Sequence, residues 1–174
     1  WKKAAEALIG AAQGLEKAGA DLALICTNTM HKLADAVQSA IGIPLLHIAD
    51  ATAEEVRRAG IRRVGLLGTR FTMEEDFYRS RLSDRFGLDV TVPDTEDRQT
   101  VHRIIYEELC VGSVRPESKA MVSGIMDRLE RTGAGGVILG CTELGLLVDA
   151  GDSPLPLFDT TRLHALAAAD LALR

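Results

Sequence analysis

The chain has 174 residues and a formal net charge of −5, and hydrophobic residues occupy 47% of its positions while aromatic residues occupy only 4%. This composition is ordinary for an α/β protein with one core of normal size or two small ones. The negative charge argues against nucleic acid or an anionic membrane as a partner, and no apolar run approaches the roughly 20 residues that span a bilayer. Three sparsely placed cysteines do not form a disulfide framework, so we expect a cytoplasmic protein with reduced thiols.

Helical and strand patterns alternate along the whole chain. Apolar spacing predicts helices over residues 4–15, 30–41, 52–59, 73–86, 99–109 and 116–131 and from residue 160 onward. Short apolar runs predict strands over residues 22–25, 45–48, 64–67 and 137–139, near residue 90, and over residues 155–158. Strands that alternate with helices indicate βαβ units, and therefore an α/β fold of flavodoxin-like type with parallel sheets flanked by helices.

Two segments of the chain are near copies of each other. Residues 18–28 read AGADLALICTN and residues 132–143 read TGAGGVILGCTE, so that in both a glycine-containing break leads to an apolar run and then to Cys-Thr. A second similarity follows the two cysteines, where residues 44–46 read PLL and residues 156–158 read PLF. We expect two similar lobes with pseudo-twofold symmetry and a boundary near residues 47–51.

Cys26 and Cys141 each stand where a predicted strand ends and the next helix begins. Open α/β sheets bind ligands at this edge, and a helix N-terminus lowers the pKa of a thiol. A free cysteine is often only a small buried hydrophobe, but a pair in duplicated contexts favours catalysis. Cys110 lacks that context, and we expect it to be a packing or exposed residue.

The same two motifs carry a family resemblance. ICTNTMHK at 25–32 and VILGCTELGLL at 137–147, together with VGLLGT at 64–69 and PLFDTTRLHA at 156–165, resemble the aspartate-racemase branch of the aspartate/glutamate racemase family. The resemblance covers essentially the whole chain. It implies that the final helix returns to the first lobe, so that this lobe comprises residues 1–49 and 159–174 and the second comprises residues 50–158. It also implies a strand–helix–strand portion before the first helix, so we expect the first lobe to be incomplete at its N-terminus.

The resemblance implies a cofactor-independent isomerase that interconverts L- and D-amino acids. Removal of the Cα proton from one face and its return to the other face requires an acid and a base on opposite sides of the substrate. Cys26 and Cys141 would form this two-base pair. The resemblance also implies an amino-acid substrate, with an acidic one as the leading candidate, and a possible homodimer.

Neither a metal nor an organic cofactor is expected from the residues themselves. The sequence contains no CxxC pair, and Cys26 and His31 do not have the spacing of a common zinc site. No lysine falls at a predicted strand end, where a pyridoxal Schiff base would be held.

Five polar residues near the two thiols are candidate substrate-binding residues. Asn28 and Thr29 would form the first turn of the next helix and suit an α-carboxylate, and Thr142 holds the equivalent place in the second lobe. Glu143 would orient Cys141, exchange a proton with it or bind the substrate ammonium, and Thr69 would line the cleft. Helix capping is the alternative role for these residues.

Other readings of the sequence stay open. The architecture also resembles hydantoin racemases, maleate isomerases and arylmalonate decarboxylases, which use one or both cysteines differently. A ligand-binding module or an inactive paralogue is the non-enzymatic alternative. Of the histidines, His47 and His164 are better candidates than His31 for supporting the residues that contact the substrate.

Overall fold

Six short strands form two parallel sheets in the part of the chain that the computed structural model describes, residues 1–173. The strands are β1 Ala23–Leu24, β2 Leu45–Leu46, β3 Arg63–Gly68, β4 Asp89–Thr91, β5 Val137–Gly140 and β6 Leu157–Asp159. Strand β1 pairs with β2, and the other four form a sheet in the order β4, β3, β5, β6. The predicted α/β class with parallel sheets is confirmed. The division into lobes 1–49 plus 159–174 and 50–158 stays a prediction.

Helices flank these sheets. Their bounds are α1 Lys2–Lys17, α2 Ala34–Gln38, α3 Ile48–Arg58, α4 Arg70–Glu74, α5 Asp76–Phe86, α6 Thr95–Glu107, α7 Pro116–Arg131, α8 Leu144–Leu147 and α9 Thr160–Ala172, with 3₁₀ turns at Thr29–Leu33, Leu109–Val111 and Ala150–Asp152. None of the helices within residues 1–173 combines the length and the apolar character needed to cross a bilayer.

Two predicted helices are divided in the structure. The segment 30–41 becomes a 3₁₀ turn followed by the short helix α2. The segment 73–86 lies in α4 and α5, which are separated at Glu75 because this residue adopts an extended backbone (φ −85°, ψ 151°). The Glu75 carboxylate forms an ion pair of 2.5 Å with Lys32 on the first of these segments. Sequence periodicity therefore located both helical segments but not the breaks within them.

Apolar side chains on the four-stranded sheet alternate between its two faces. Leu67 and Leu139 join the core cluster that includes side chains of α6 and α7. Val64, Leu66 and Ile138 join the opposite cluster, which includes side chains of α3 and α5. A third, smaller cluster joins α1 to β1 and α2 and consists of Ala12, Ala23, Ile25, Val37 and Ile41. Burial of each large side chain contributes about 1.5–3 kcal/mol.

Strands β3 and β5 meet at paired glycines at their carboxyl ends. Gly68 is the register partner of Gly140. A Cβ added at Gly140 would lie 2.8 Å from the carbonyl oxygen of Leu67, and one added at Gly68 would lie 2.8 Å from the carbonyl oxygen of Gly140. The two backbones therefore approach each other more closely than a residue with a side chain allows. As a result, the loops that follow β3 and β5 begin side by side.

This close approach predicts that Gly140→Ala destabilises the protein by about 1–3 kcal/mol, because the new methyl group overlaps with backbone atoms. Urea unfolding at neutral pH measures the change. The matched control is Gly14→Ala on α1, where an added Cβ meets no atom within 4 Å among residues 1–173. Alanine in a helix interior should raise stability there by about 0.5–1 kcal/mol. Equal stability of Gly140→Ala and the wild type would contradict this account.

Three histidines are buried together where β2, α3 and α9 meet. The ring of His31 lies 4.3 Å from that of His47 and 5.9 Å from that of His164, centroid to centroid. Helix α3 begins at Ile48 rather than at the predicted Thr52, because His31 Nε2 and His47 Nδ1 accept its first two free N–H groups. Burial lowers the pKa of His31 to about 4 and that of His47 to about 2, and it also lowers the pKa of His164. All three rings are neutral at pH 7.

These depressed pKa values predict acid sensitivity well above the range in which carboxylates titrate. The unfolded chain binds protons at its histidines below about pH 6.5, and the folded chain does not bind one at His31 until about pH 4. Stability is therefore complete above about pH 6.5 and falls as the pH decreases, by about 2 kcal/mol for each of His31 and His47 at about pH 5. Urea unfolding across this window measures the slope. The variant His47→Asn keeps an N-cap acceptor but removes one titrating ring, so its slope should be smaller; an unchanged slope would contradict the assignment.

Candidate active site

The candidate site residues follow the carboxyl ends of parallel strands. Cys26 and Asn28 follow β1, Thr69 follows β3, and Cys141 follows β5. Thr160, the first residue of α9, follows β6. Parallel α/β sheets present their ligand-binding loops at this edge. The strand-end argument from the sequence thus agrees with the observed placement of these residues.

Cys26 is exposed, and its loop is held by neighbouring side chains. Asn28, Thr29 and His31 all form hydrogen bonds, whereas among residues 1–173 no hydrogen bond involves the Cys26 thiol. The thiol borders an apolar groove of about 210 Å³, whose lining includes Leu8, Leu15, Ile25, Val37 and Leu45. The position of this sulfur is therefore set by the backbone on which it is carried.

Asn28 connects the loop after β1 to the four-stranded sheet. Its Nδ2 donates to Thr160 Oγ1 at 2.9 Å, and the Thr160 hydroxyl donates to the carbonyl oxygen of Leu139 at 2.9 Å. Because the single hydroxyl hydrogen is used on Leu139, Thr160 must accept from Asn28, which fixes the orientation of the amide. Asn28 Oδ1 is then a buried acceptor without a partner among residues 1–173. Such an atom suits a donor group on a ligand.

Three threonine hydroxyls form a cluster between the loops after β1 and β3. Thr29 Oγ1 lies 3.0 Å from Thr69 Oγ1 and 3.4 Å from Thr72 Oγ1, and the last two oxygens lie 3.3 Å apart. Thr69 also caps α4 by accepting from the Thr72 N–H. Each hydroxyl has only one hydrogen to donate, so a carboxylate bound here would accept hydrogens that otherwise serve the contacts within the cluster.

Cys141 belongs to a compact thiol–carboxylate group. Its Sγ donates to Glu143 Oε2 at 2.9 Å, and the Thr142 hydroxyl donates to the same oxygen at 2.7 Å. Cys141 is buried, with 8% of its surface exposed, while Glu143 is partly exposed. One carboxylate oxygen therefore holds the hydrogens of both the thiol and the hydroxyl.

The environment of this group fixes where its proton resides. Burial raises the pKa of the Cys141 thiol far above its ordinary value, and the hydrogen bond to Glu143 raises it further. Burial alone would raise the pKa of Glu143, but the hydrogen bonds from Cys141 and Thr142 outweigh it, so that the net pKa lies below the usual range. The stable form at neutral pH is thus a protonated thiol beside a carboxylate anion.

The expectation that a helix N-terminus lowers the pKa of Cys141 is wrong. Helix α8, which follows it, has only four residues, so its peptide dipoles sum to little. Burial and the adjacent carboxylate act in the opposite direction. Cys26 likewise precedes a five-residue 3₁₀ turn rather than a long helix.

Three residues with roles at this edge were not selected from the sequence. Thr72 was detectable from its position three residues after the cap Thr69, at the start of a helix. Thr160 was detectable because it follows the cap Asp159. His31, rather than the favoured His47 and His164, contacts the loop after β1, since its Nδ1 lies 2.8 Å from the carbonyl oxygen of Thr27. His164 Nε2 instead lies 2.9 Å from the carbonyl oxygen of Leu46.

The two thiols lie in different surroundings. Cys26 is exposed and Cys141 is buried. Their loops are joined through Asn28, Thr160 and Leu139, the last of which stands two residues before Cys141. Placement of both sulfurs across one cleft stays a prediction. Within residues 1–173 no group of three or more His, Cys, Asp and Glu side chains is arranged to hold a metal ion.

Comparison with known proteins assigns a family. The family model for Asp/Glu/hydantoin racemases matches residues 1–168. A crystal structure of a candidate Asp/Glu racemase from Yersinia pestis is 52% identical, with a TM-score of 0.94 over 100% of this chain and 76% of that chain. An aspartate racemase homologue from Pyrococcus horikoshii OT3 is 41% identical, with a TM-score of 0.87 over 98% of this chain and 74% of that chain.

A curated relative is also similar to this chain. The broad specificity amino-acid racemase RacX of Bacillus subtilis is 27% identical over 90% of this chain, and the match spans 66% of RacX. The chain therefore corresponds to about two thirds of that relative's length. On the family match over nearly its whole length, the chain belongs to the Asp/Glu/hydantoin racemase family.

Proposed function

We propose that the protein is a cofactor-independent amino-acid racemase that interconverts L- and D-amino acids by proton transfer at Cα. The observation that carries this proposal is the buried Cys141 thiol, which donates to Glu143 at the end of β5, while Cys26 holds the corresponding place after β1. Family membership and the amino-acid racemase activity named for RacX support it. The duplicated motifs give the two sulfurs related positions in the two halves of the chain.

The proposed reaction removes the Cα proton from one face and adds a proton to the opposite face. The Cys26 thiolate takes the Cα proton, the S–H bond forms, and the electron pair of the broken C–H bond remains on Cα. The Cys141 S–H bond then gives its proton to the opposite face. The roles reverse in the other direction. After turnover Cys26 returns its proton to water and Glu143, which is partly exposed, passes a proton from water to Cys141, so that the starting state is restored; a thiolate beside a carboxylate is disfavoured.

Substrate contacts follow from the polar atoms that remain available. Asn28 presents an acceptor, Oδ1, so we assign it to the substrate ammonium rather than to the carboxylate. The hydroxyls of Thr29 and Thr69 are assigned to the α-carboxylate, and Thr72, which is fully buried, supports them. Thr142 donates to the same Glu143 oxygen as Cys141 and would contact the substrate at the Cys141 end of the site. An acidic amino acid is the proposed substrate, on the resemblance to the aspartate-racemase branch.

We also propose the cytoplasm as the compartment and a homodimer as the assembly. Reversible proton transfer through thiols requires that they stay reduced, which the cytoplasm favours, and Cys26 is accessible to oxidants. The homodimer rests on the family resemblance alone. Light scattering coupled to size-exclusion chromatography measures the assembly directly.

The two-base proposal predicts that Cys26→Ser and Cys141→Ser each lower racemisation by about 10²–10⁴-fold in the full-length protein. The assay follows incorporation of solvent deuterium at Cα for a panel of L- and D-amino acids. Cys110→Ser is the matched control, since Cys110 is an exposed thiol outside the proposed pair, and its turnover should stay within about twofold of the wild type.

Several outcomes of this assay decide between functions. Release of CO₂ from a test compound, with no incorporation of deuterium at Cα of any amino acid, would favour a decarboxylase that uses one thiol. Binding of amino acids without Cα exchange would favour a binding module. Normal turnover in either Cys26→Ser or Cys141→Ser would remove that thiol from the mechanism.

The Cys141–Glu143 contact predicts a shifted thiol titration. In a Cys26→Ser/Cys110→Ser background, only Cys141 remains to titrate, and its ultraviolet thiolate absorbance should develop only at strongly alkaline pH. Glu143→Gln removes the anionic acceptor, so the pKa of Cys141 should fall, although burial keeps it above the ordinary value. An unchanged titration in Glu143→Gln would show that the carboxylate does not hold the thiol proton.

A further inference from the structure

His31 joins two parts of the molecule that are distant in the sequence. It lies on the 3₁₀ turn after Cys26 and only 3% of its surface is exposed. Its Nδ1 lies 2.8 Å from the carbonyl oxygen of Thr27, and its Nε2 accepts from the N–H of Ile48 at 3.1 Å. One ring nitrogen therefore faces the candidate site loop, and the other faces the first residue of α3.

These two partners fix the tautomer of the ring. The Ile48 N–H is only a donor, so Nε2 carries no hydrogen, and the Thr27 carbonyl is only an acceptor, so Nδ1–H donates to it. If Nε2 were protonated, its N–H would face the Ile48 N–H, and two donors would point at each other. The charged or titratable groups around the ring are His47, His164, Arg81 and Asp50, and burial is the main reason that the pKa of His31 falls to about 4.

The Thr27 carbonyl belongs to the peptide that links Thr27 to Asn28. A hydrogen bond to this oxygen restrains rotation of that peptide, and with it the backbone that leads from Cys26 to Asn28. The side chain of Asn28 has its own anchor at Thr160. The Cys26 thiol has no hydrogen-bonding partner among residues 1–173, so its position depends on this backbone.

Helix α3 is a rigid support for such a restraint. Its residues Ile48, Ala49, Ala53 and Val56 are buried in the core cluster that includes Val64 and Ile138. The helix N-terminus is therefore fixed relative to the four-stranded sheet, which also carries Cys141. The Ile48 N–H therefore fixes the tautomer of the imidazole, whose Nδ1–H restrains the Thr27 carbonyl.

We propose that His31, fixed as its Nδ1–H tautomer by the Ile48 N–H, is a positioning residue that clamps the turn carrying Cys26 and Asn28 through its hydrogen bond to the Thr27 carbonyl. Its effect on turnover rests on the proposed racemase function, whereas its effect on the turn does not. A buried histidine that only fills space would contribute stability without setting the thiol. The two ring nitrogens provide a way to separate these roles.

The test compares two amide variants of the full-length protein. In His31→Asn the side-chain amide reaches the position of Nδ1 and still donates to Thr27, while the Ile48 N–H loses its acceptor. In His31→Gln the amide reaches the position of Nε2 and still accepts from Ile48, while the Thr27 carbonyl loses its donor. His31→Gln should lower kcat by about 100-fold, with KM changed by less than about threefold. His31→Asn should keep kcat within about threefold of the wild type.

Two further measurements separate a clamp from general destabilisation. Hydrogen exchange followed by mass spectrometry should show the 26–31 segment about tenfold faster in His31→Gln than in His31→Asn, since only the former loses the Thr27 bond. The stability control is Val56→Ala, a buried α3 residue whose cavity should lower the urea midpoint of unfolding without changing kcat.

The outcomes are distinct. If His31→Gln and His31→Asn lose kcat equally, or if exchange of the 26–31 segment is the same in both, His31 is a structural residue and the proposal is wrong. If the wild type shows no racemisation but the exchange difference is present, the clamp stands and the proposed function fails.

Discussion

The chain of hydrogen bonds from Asn28 through Thr160 to the Leu139 carbonyl is the contact on which the geometry of the candidate site depends. It connects the loop after β1 to the four-stranded sheet, and all of its side-chain atoms are buried. A buried hydrogen bond of this kind contributes only about 1 kcal/mol net, but removal of one partner leaves unsatisfied groups at about 1–3 kcal/mol each. The contact therefore tolerates little change, and it restricts the loop of Cys26 to one position relative to β5.

The surroundings of Cys141 restrict the protonation state of the site, whereas the hydrogen bonds from Asn28 through Thr160 to Leu139 restrict its geometry. A thiol in an apolar environment resists ionisation, and a carboxylate that accepts its hydrogen strengthens this resistance. Thr142 donates to the same carboxylate oxygen and keeps Glu143 anionic. The group therefore stores a proton in a defined place. A general acid in a reaction at carbon needs such a stored proton within reach of the substrate.

The sequence predicted the strands and the positions of both thiols, because a short apolar run that ends in Cys-Thr is a local pattern. The interior of the helical segment after Cys26 was not predictable in this way. Its first part is a 3₁₀ turn whose Lys32 and His31 contact Glu75 and Ile48, residues far from them in the chain. The sign of the Cys141 pKa shift was also missed, since the length of α8 and the direction of the Glu143 side chain are properties of the folded protein.

The unequal surroundings of the two sulfurs place a requirement on the working complex. In the proposed two-base reaction Cys141 accepts a proton in one of the two directions, so its own proton must be removable when substrate is bound. The cationic ammonium of a substrate would offset the negative charge of Glu143 that raises the pKa of Cys141. The substrate itself would then supply the change in acidity that the free Cys141–Glu143 group lacks.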